Sequence, residues 1–280
     1  YAAKAAKAGR RVALVYDARE FVPGLAHVPP KQVEAYSRLE AEFIQDFDRI
    51  VTVSEGLAEL LVARHGLRRR PAIVMNGPMV GASVEAPSLR EVVGVGEDAP
   101  LLVYSGVVNP ARGIGAVVRA LALVDGVHLA LVVNNRGTAV THLLAEADRL
   151  GLADRLHLAP YVAYDQVTKY VASADAGVSP LSRAVNHDIA LTNKFCEYVV
   201  AGLPVVTSDT PEQARLVEDL DLGAVFKADD VADCARAIKD VLDRRRELAT
   251  RIGADQELRH RFTWAAQVET LARVYREVAN

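Results

Sequence analysis

The segment LTNKFCEYVVAGLPVVTS, from Leu191 to Ser208, combines a predicted helix start with a lysine and a glutamate one turn apart. A helix that begins near Thr192 leaves the N–H groups of Thr192, Asn193 and Lys194 without intrahelical acceptors. Free N–H groups and the helix dipole attract phosphate, and Lys194 adds a full positive charge. Glu197 lies on the same helix face, where its carboxylate can accept two hydrogen bonds from a vicinal diol such as a ribose. One turn of helix therefore offers a diphosphate site beside a sugar site.

A simpler explanation is that Lys194 and Glu197 form a solvated i,i+3 ion pair, which contributes only about a few tenths of a kcal/mol. The context favours a ligand site. Gly202, Leu203 and Pro204 end the helix and open an apolar strand beneath the same crevice.

A second candidate is the loop SGVVNPARGIG after a predicted strand. Gly106 allows close approach of a ligand to the backbone. Arg112 begins the following helix, and its forked guanidinium could bind phosphate oxygens. For this loop alone, a surface arginine in a turn is an equally good explanation.

Length and composition exclude several classes of protein. The chain has 280 residues, 51% of them hydrophobic and 25% charged, with 33 Lys and Arg against 36 Asp and Glu. A net charge of −3 gives no general attraction for nucleic acid. No apolar run approaches the roughly 18 residues of a membrane-spanning helix. Cys196 and Cys234 are far apart, and the histidines lack HxxxH or HxH spacing, so we expect neither a disulfide scaffold nor a metal site.

Short β-branched runs alternate with segments of helical spacing, which predicts an α/β protein with parallel sheets. The predicted strands are Arg11–Tyr16, Ile50–Val53, Ala72–Met75, Leu101–Tyr104, Leu129–Val133, Leu156–Leu158, Ala176–Val178, Pro204–Thr207 and Ala224–Phe226. Helices are predicted at about 31–46, at 55–65 with Ser54 as N-cap, and at 263–278 with an apolar face to bury.

These elements predict a partial N-terminal domain at 1–80, a linker at 81–98, a doubly wound domain at 99–262 and a closing helix at 263–280. The later strands suffice for a complete doubly wound domain, whose ligand crevice lies beyond the carboxyl ends of the strands. The first ten residues are predicted to be the end of a helix closed by Gly9, and we expect a longer parent protein.

The order of these motifs resembles the family 4 glycosyltransferases of the GT-B fold. The segment "NKFCEYVVAGLPVVTSD" resembles their donor-binding half, while "FDRIVTVSEGLAELLVARHG", "PAIVMNGP" and "FTWAAQVETLARVY" resemble the end of the N-terminal domain and the closing helix. The resemblance covers nearly the whole chain. It implies two Rossmann-like doubly wound domains, of which the N-terminal one is incomplete here.

The resemblance also implies residue roles. Arg112 matches the basic residue that meets the donor diphosphate, and Gly106 matches the close-approach glycine. Glu197 matches the carboxylate that holds the ribose. The donor phosphates and sugar are implied to meet the helix start at Leu191, Thr192, Asn193 and Lys194, and the base to meet the backbone of Tyr161 and Val162.

The chain departs from the family pattern at three places. Val107 replaces an arginine that often follows the close-approach glycine. Ile189 stands where a first glutamate is common, and we considered His187 and Asp188 as substitutes. Arg19 and Glu20 occupy the region of a histidine in the N-terminal domain. The catalytic group is therefore unknown, with His187, Asp188 and Glu20 as weak candidates.

Other classes of protein are less well supported. A nicotinamide dehydrogenase would need an acid after the second strand, where Asn134 and Asn135 stand. No GK[ST] completes a P-loop. A nucleotide-sugar epimerase would need paired acid and base groups in the cleft. A non-catalytic nucleotide-sugar-binding protein of the same fold is the main alternative.

The resemblance implies a retaining glycosyltransferase that needs no metal or other cofactor and uses a nucleotide diphosphate sugar as donor. The expected acceptor is a glycan, a lipid-linked compound or a small molecule, and the chain by itself is expected to be inactive. We expect a cytoplasmic location. The basic runs Arg68–Arg70 and Arg244–Arg246 are predicted at helix ends, and the first could make a peripheral contact at the inner membrane face.

Overall fold

The computed structural model describes residues 12–81, 85–133 and 137–279. The helix predicted over the first ten residues, and Asn134 and Asn135, lie outside these ranges. The strands are β1 (Val15–Ala18), β2 (Arg49–Thr52), β3 (Ala72–Ile73), β4 (Leu101–Ser105), β5 (His128–Val132), β6 (Leu156–Ala159), β7 (Ala176–Ser179), β8 (Val205–Ser208) and β9 (Gly223–Phe226).

The α-helices of the described ranges follow in chain order. They are α1 (Pro30–Phe43), α2 (Glu55–His65), α3 (Leu89–Val93), α4 (Ile114–Ala120), α5 (Thr138–Arg149), α6 (Val167–Val171), α7 (Val185–Asp188), α8 (Asn193–Ala201), α9 (Pro211–Asp219), α10 (Val231–Ala254), α11 (Gln256–Arg261) and α12 (Trp264–Ala279). Short 3-10 turns occupy Val22–Gly24, Ile44–Asp46, Pro110–Arg112, Leu121–Leu123 and Tyr164–Gln166.

The larger sheet is parallel, in the order β6-β5-β4-β7-β8-β9. This is the doubly wound order, and the strand order reverses between β4 and β7. Successive residues of β4 point to opposite faces. Leu101 and Val103 belong to the apolar cluster on one face, and Leu102 and Tyr104 to the cluster on the other. The predicted α/β class is confirmed, and ligands are expected at the β4–β7 switch.

The smaller sheet is also parallel, in the order β1-β2-β3. Its first strand begins at Val15, four residues after the predicted start at Arg11. Apolar residues run almost without interruption from Val12 to Tyr16, so hydrophobicity alone does not mark the start. The start is set by pairing with β2, because the register places Val15 opposite Arg49 and Ala18 opposite Thr52.

The closing helix α12 packs differently from its sequence pattern. Val268 and Tyr275, predicted to belong to a buried apolar face, are 43% and 53% exposed. Val274, which belongs to the same predicted face, is buried, and so is Gln267, seven residues earlier on that side. The Gln267 side chain accepts a hydrogen bond from the Met75 N–H at 2.9 Å and donates to the Arg261 carbonyl at 2.7 Å. Polar contacts therefore orient this helix beside the end of β3.

The segment predicted as a linker contains the short helix α3. Its Arg90 is 4% exposed and donates hydrogen bonds to the carbonyls of Gly96, Ala99 and Ser173, and forms a 2.7 Å ion pair with Asp175. A buried guanidinium is tolerated when its donors are satisfied in this way. Residues 89–99 are consequently fixed to the larger sheet.

The chain passes between the two sheets at two adjacent points. The Trp264 N–H donates to the Pro78 carbonyl at 2.9 Å. At Gly77, a Cβ atom would lie 2.3 Å from the Phe262 carbonyl oxygen, so only glycine fits this contact.

Arg244–Arg246 lie inside α10 and not at a helix end, which corrects that prediction. Arg244 forms ion pairs with Asp221 and Glu247, and Arg245 with Asp175. Arg68–Arg70 do follow the end of α2, at His65. Across the described ranges, the helices are all too short or too polar to cross a membrane.

Candidate functional site

A cleft of about 560 Å³ opens at the β4–β7 switch, between the carboxyl ends of the larger sheet and the residues that follow β1, β2 and β3. All nine predicted donor-binding residues line it: Gly106, Arg112, Tyr161, Val162, Leu191, Thr192, Asn193, Lys194 and Glu197. The structure thus brings together residues that are up to 91 positions apart in the sequence. Their roles toward a ligand stay predictions.

Thr192 fixes the start of α8. Its backbone is extended, and its hydroxyl accepts a hydrogen bond from the Phe195 N–H. The same hydroxyl donates to Gln213 Oε1 at 2.9 Å and lies 3.0 Å from the Ser179 hydroxyl. This buried network holds the helix so that its first turn, with unpaired N–H groups at Asn193 and Lys194, faces the cleft.

Lys194 extends under the loop after β4. Its side chain is 9% exposed, and its Nζ lies 4.8 Å from the centre of the Tyr104 ring. Gly106 has a φ of +127°, and a Cβ there would lie 3.3 Å from this Nζ, so glycine makes room for the ammonium group. Burial, reinforced by the nearby Arg112 charge, lowers the pKa of Lys194 to about 8. The negative charge of a bound anion would raise this pKa, because it favours the protonated lysine.

Glu197 is 7% exposed, and burial raises the pKa of its carboxyl group to about 7, although the Lys194 charge opposes the shift. Both side chains are buried, so the solvated ion-pair explanation is wrong. A buried carboxyl and a buried ammonium thus lie one turn apart at one helix end, and such perturbed groups are typical of functional sites.

The loop after β4 is shaped to present Arg112. Asn109 accepts a hydrogen bond from the Arg112 N–H at 3.1 Å, which caps the 3-10 turn. Gly113 has a φ of +68°, and a Cβ there would lie 2.6 Å from the Pro180 carbonyl oxygen. The loop therefore needs glycine at this position. It places the guanidinium close enough to Lys194 to depress the pKa of that lysine.

Tyr161 and Val162 border the cleft on the β6 side. The Tyr161 hydroxyl shares a hydrogen bond with Ser105, and its pKa is raised by burial and by the Glu197 charge. Sequence reasoning assigned only the backbone of Tyr161 to the site. Its side chain is part of the same polar group as Glu197.

The weak catalytic candidates are placed differently from one another. Glu20 lines the cleft and is exposed. His187 and Asp188 are not among its lining residues. His187 Nδ1 pairs with the Ser182 carbonyl at 2.7 Å, and Asp188 makes a forked ion pair with Arg183 at 2.7 and 3.0 Å. Local contacts therefore hold both of these proposed substitutes for the first glutamate away from the cleft.

Three residues that line the cleft were not predicted from the sequence. Asn76 follows β3 and accepts a hydrogen bond from Arg19 at 2.7 Å. Asn186 and Tyr164 connect the two sides of the cleft, Tyr164 through a 3.0 Å hydrogen bond to the Gly77 carbonyl. These partners are 57 to 165 residues apart, so no local pattern reveals them.

Ile189 makes a packing contact that was not predicted from the sequence. It packs into the apolar cluster of the smaller sheet with Val53 and Leu57, and its carbonyl accepts a 2.6 Å hydrogen bond from Ser54. At this position the chain contributes an apolar contact between the two sides of the cleft. Within the described residues, no cluster of His, Cys, Asp and Glu has the arrangement of a metal site.

Solved structures with the same architecture are GT-B glycosyltransferases. A complex of Anabaena HepE with UDP aligns at a TM-score of 0.79 and 19% identity, over 99% of this chain and 75% of that one. Sucrose-phosphate synthase from Thermosynechococcus elongatus aligns at a TM-score of 0.76 and 18% identity, over 98% of this chain and 70% of that one. The predicted GT-B fold is confirmed.

The family model described as "Glycosyl transferases group 1" matches residues 85–264, and the chain belongs to this family. The protein named D-inositol 3-phosphate glycosyltransferase from Mycolicibacterium smegmatis is 26% identical over 84% of this chain and 54% of its own length. The protein of that name from Geodermatophilus obscurus is 30% identical over 86% and 55%. The chain thus spans about half the length of these curated relatives.

Proposed function

We propose that the protein transfers a sugar from a nucleotide diphosphate sugar to an acceptor, and that the cleft at the β4–β7 switch binds the donor. The observation that carries the proposal is the buried pair of Lys194 and Glu197 on the first turns of α8. Family membership and the relatives' names support the reaction class. The HepE complexes, which contain UDP or UDP-glucose, support the donor class.

The donor diphosphate would bind the N–H groups of Asn193 and Lys194, the Lys194 ammonium and the Arg112 guanidinium. Negative charge grows on the diphosphate as the bond to the sugar breaks. Donors that are already oriented toward that charge stabilise it without reorganisation. The chain's own residues therefore supply the leaving-group stabilisation.

The nucleoside would lie on the other side of the same helix turn. Glu197 in its ionised form accepts hydrogen bonds from the two ribose hydroxyls. The backbone at Tyr161 and Val162 would meet the base. The Tyr161 hydroxyl, which is tied to Ser105, would shape the wall between base and ribose.

The finer parts of the proposal come from the family resemblance. They are retention of the anomeric configuration, independence of metal ions, and an acceptor of the glycan, lipid-linked or small-molecule class. The acceptor would enter from the side of the smaller sheet, where Arg19, Glu20 and Asn76 line the cleft. Closure of the two sides would exclude water and protect the donor from hydrolysis.

The test begins with the melting temperature of the chain in the presence of UDP, GDP, ADP or TDP, because a ligand that binds only the native state raises it. One of the four should give a concentration-dependent rise that Glu197→Ala and Arg112→Ala diminish. The sugar nucleotide of that base is then offered to the full-length protein, and release of the nucleoside diphosphate is measured. No response to any of the four would refute the donor site.

Non-catalytic binding of a nucleotide sugar is the second candidate. Val107 is 61% exposed where a charged residue is common in the family, and Ile189 is used for packing. Nucleotide binding by the full-length protein, without any sugar transfer to a range of acceptors, would favour this candidate.

A further inference from the structure

The structure has a second polar cavity, far from the donor cleft, that no step of the proposed reaction uses. Its volume is about 580 Å³. It lies at the carboxyl end of α2. The amino end of that helix, which Ser54 caps, lies beside the donor cleft. Its lining residues are Ile44, Gln45, Phe47, Asp48, Arg49, Ile50, Gly66, Leu67, Arg68, Arg69 and Arg70.

Arg49 is the buried arginine among the residues that line this cavity. It is 8% exposed, and its Nε and Nη1 are buried without hydrogen-bond partners. Glu277 Oε2 lies 3.2 Å from Nη1, at ion-pair distance but outside hydrogen-bond geometry. Leaving the donors of a buried charged group unsatisfied is unfavourable, so an acceptor is expected here.

The neighbouring arginines are incompletely neutralised. The same Glu277 oxygen also accepts a hydrogen bond from Arg69 at 2.5 Å, so one carboxylate serves two guanidinium groups. Arg70 pairs with Glu55 and Glu59 on the rim. Arg68 is exposed and forms no ion pair with any residue that the structure describes.

The residues that line the cavity include four arginines and one acidic residue. Asp48 lines it, but its Oδ2 already accepts a 2.8 Å hydrogen bond from the Leu14 N–H. Ile44 and Leu67 supply apolar wall. A cavity with several guanidinium groups, orphaned buried N–H donors and an apolar side matches the chemistry of a phosphate group on a larger molecule.

We propose that this cavity, lined by Arg49, Arg68 and Arg69, is a binding site for a phosphate-bearing ligand. The phosphate would take the free donors of Arg49 and the unpaired charge of Arg68. It would also share Arg69 with Glu277. The site is separate from the donor cleft and does not depend on the proposed transfer reaction.

The first test is a phosphate titration followed by thermal unfolding. It is made in an Arg112→Gln background, which weakens the anion site of the donor cleft. Inorganic phosphate should raise the melting temperature, and Arg68→Gln should weaken the apparent affinity about tenfold, as expected for one charge-assisted hydrogen bond. Arg246→Gln, at an exposed arginine in the other basic run, should leave the phosphate response unchanged. An equal response in the Arg68 and Arg246 variants would overturn the proposal.

A second measurement covers Arg49, whose buried side chain makes Arg49→Gln a risk for folding. Crystals of the unmutated chain soaked in selenate should show anomalous density beside Arg49 and Arg68. Selenate in the donor cleft alone would overturn the proposal.

The source of the phosphate is assigned by sedimentation with vesicles of phosphatidylcholine, with and without phosphatidylglycerol. Binding to the anionic vesicles that Arg68→Gln abolishes would identify a lipid headgroup. A phosphate-dependent melting shift without vesicle binding would identify a soluble ligand. Either result supports the site, and the absence of both overturns it.

Discussion

Asn186 and Phe21 pair through two hydrogen bonds across the donor cleft. The Asn186 Oδ1 accepts from the Phe21 N–H at 2.9 Å, and its Nδ2 donates to the Phe21 carbonyl at 3.2 Å. Phe21 directly follows Arg19 and Glu20, which line the cleft. A side chain beside the larger sheet therefore sets the position of the segment that follows β1.

Asn186→Ala should remove both hydrogen bonds and leave the Phe21 backbone groups unpaired. We expect a loss of about 1–2 kcal/mol in the free energy of unfolding. Amide hydrogen exchange should accelerate at Phe21. Asn186→Asp keeps the acceptor and should protect the Phe21 amide better than alanine does. Unchanged exchange at Phe21 in the alanine variant would contradict this role.

Nucleotide binding should have a maximum between about pH 7 and pH 8. Ionised Glu197, with a pKa of about 7, is the form that accepts from the ribose diol, so affinity should fall at lower pH. Protonated Lys194, with a pKa of about 8, is the form that binds diphosphate, so affinity should fall at higher pH. Calorimetric titration at several pH values would measure both the acid and the alkaline loss of affinity.

Glu197→Gln should abolish the acid limb while the alkaline limb remains. Lys194→Gln should do the reverse and weaken binding at every pH. A pH profile that is flat in the unmutated chain, or identical in the two variants, would exclude the assignment.

Arg112→Ala should weaken a nucleoside diphosphate by about ten- to a hundredfold, as expected for the loss of a charge-assisted hydrogen bond. The corresponding nucleoside should be almost unaffected. The same variant should shift the loss of affinity on the alkaline side to higher pH, because the Arg112 charge contributes to the lowered pKa of Lys194. Arg119→Ala is the control, since Arg119 pairs with Glu146 outside the donor cleft. Equal losses for nucleotide and nucleoside would remove Arg112 from the phosphate site.

Two buried tyrosines give a matched test of the core beneath the cleft. The Tyr198 hydroxyl accepts a hydrogen bond from the Ser105 N–H at 2.9 Å, so Tyr198→Phe should cost about 1–3 kcal/mol by leaving that donor unpaired. The Tyr170 hydroxyl is buried without a partner, so Tyr170→Phe should be neutral or stabilising. Chemical denaturation of both variants measures the difference. Equal destabilisation would refute the hydrogen-bond argument.

The free energy of unfolding should fall as the pH drops below about 6.5. His128 Nδ1 and His157 Nε2 lie 2.9 Å apart, and burial lowers the pKa of both imidazoles, with the His128 charge adding to the effect at His157. The unfolded chain therefore binds more protons below the ordinary histidine pKa of about 6.5, whereas above it these groups contribute no pH dependence.

The charged groups that act on this pair are Asp154, Arg155 and Arg90. His157→Gln should reduce the pH dependence of the free energy of unfolding below about pH 6.5. Chemical denaturation between about pH 5 and pH 8, the range in which histidine titrates, measures this dependence. An unchanged slope would show that other groups dominate.

The sequence was sufficient where local chemistry decides the structure. Ser54 caps α2 by accepting from the Leu57 N–H, as predicted, and Thr192 begins α8. The strands of the larger sheet lie within about one residue of their predicted bounds, because β-branched runs between turn residues mark buried parallel strands.

Long-range contacts limited the prediction elsewhere. In α12 the predicted apolar period is buried at Val274 but exposed at Val268 and Tyr275, because Gln267 occupies the contact face and satisfies polar groups there. Ile189 carries no sign in its neighbours that it will enter the apolar cluster of the smaller sheet. Which side chains of a helix or strand are buried depends on the element that packs against it. That element can be far away in the sequence.

The two crossings of the chain between the sheets touch each other at Gly77 and Pro78 beside Phe262 and Trp264. Arg90 binds the residues just after the first crossing to the larger sheet. Both covalent connections therefore run along one narrow line. We expect any separation of the two sides to be a rotation about that line, with the mouth of the donor cleft travelling furthest and the residues around Gly77 staying almost still.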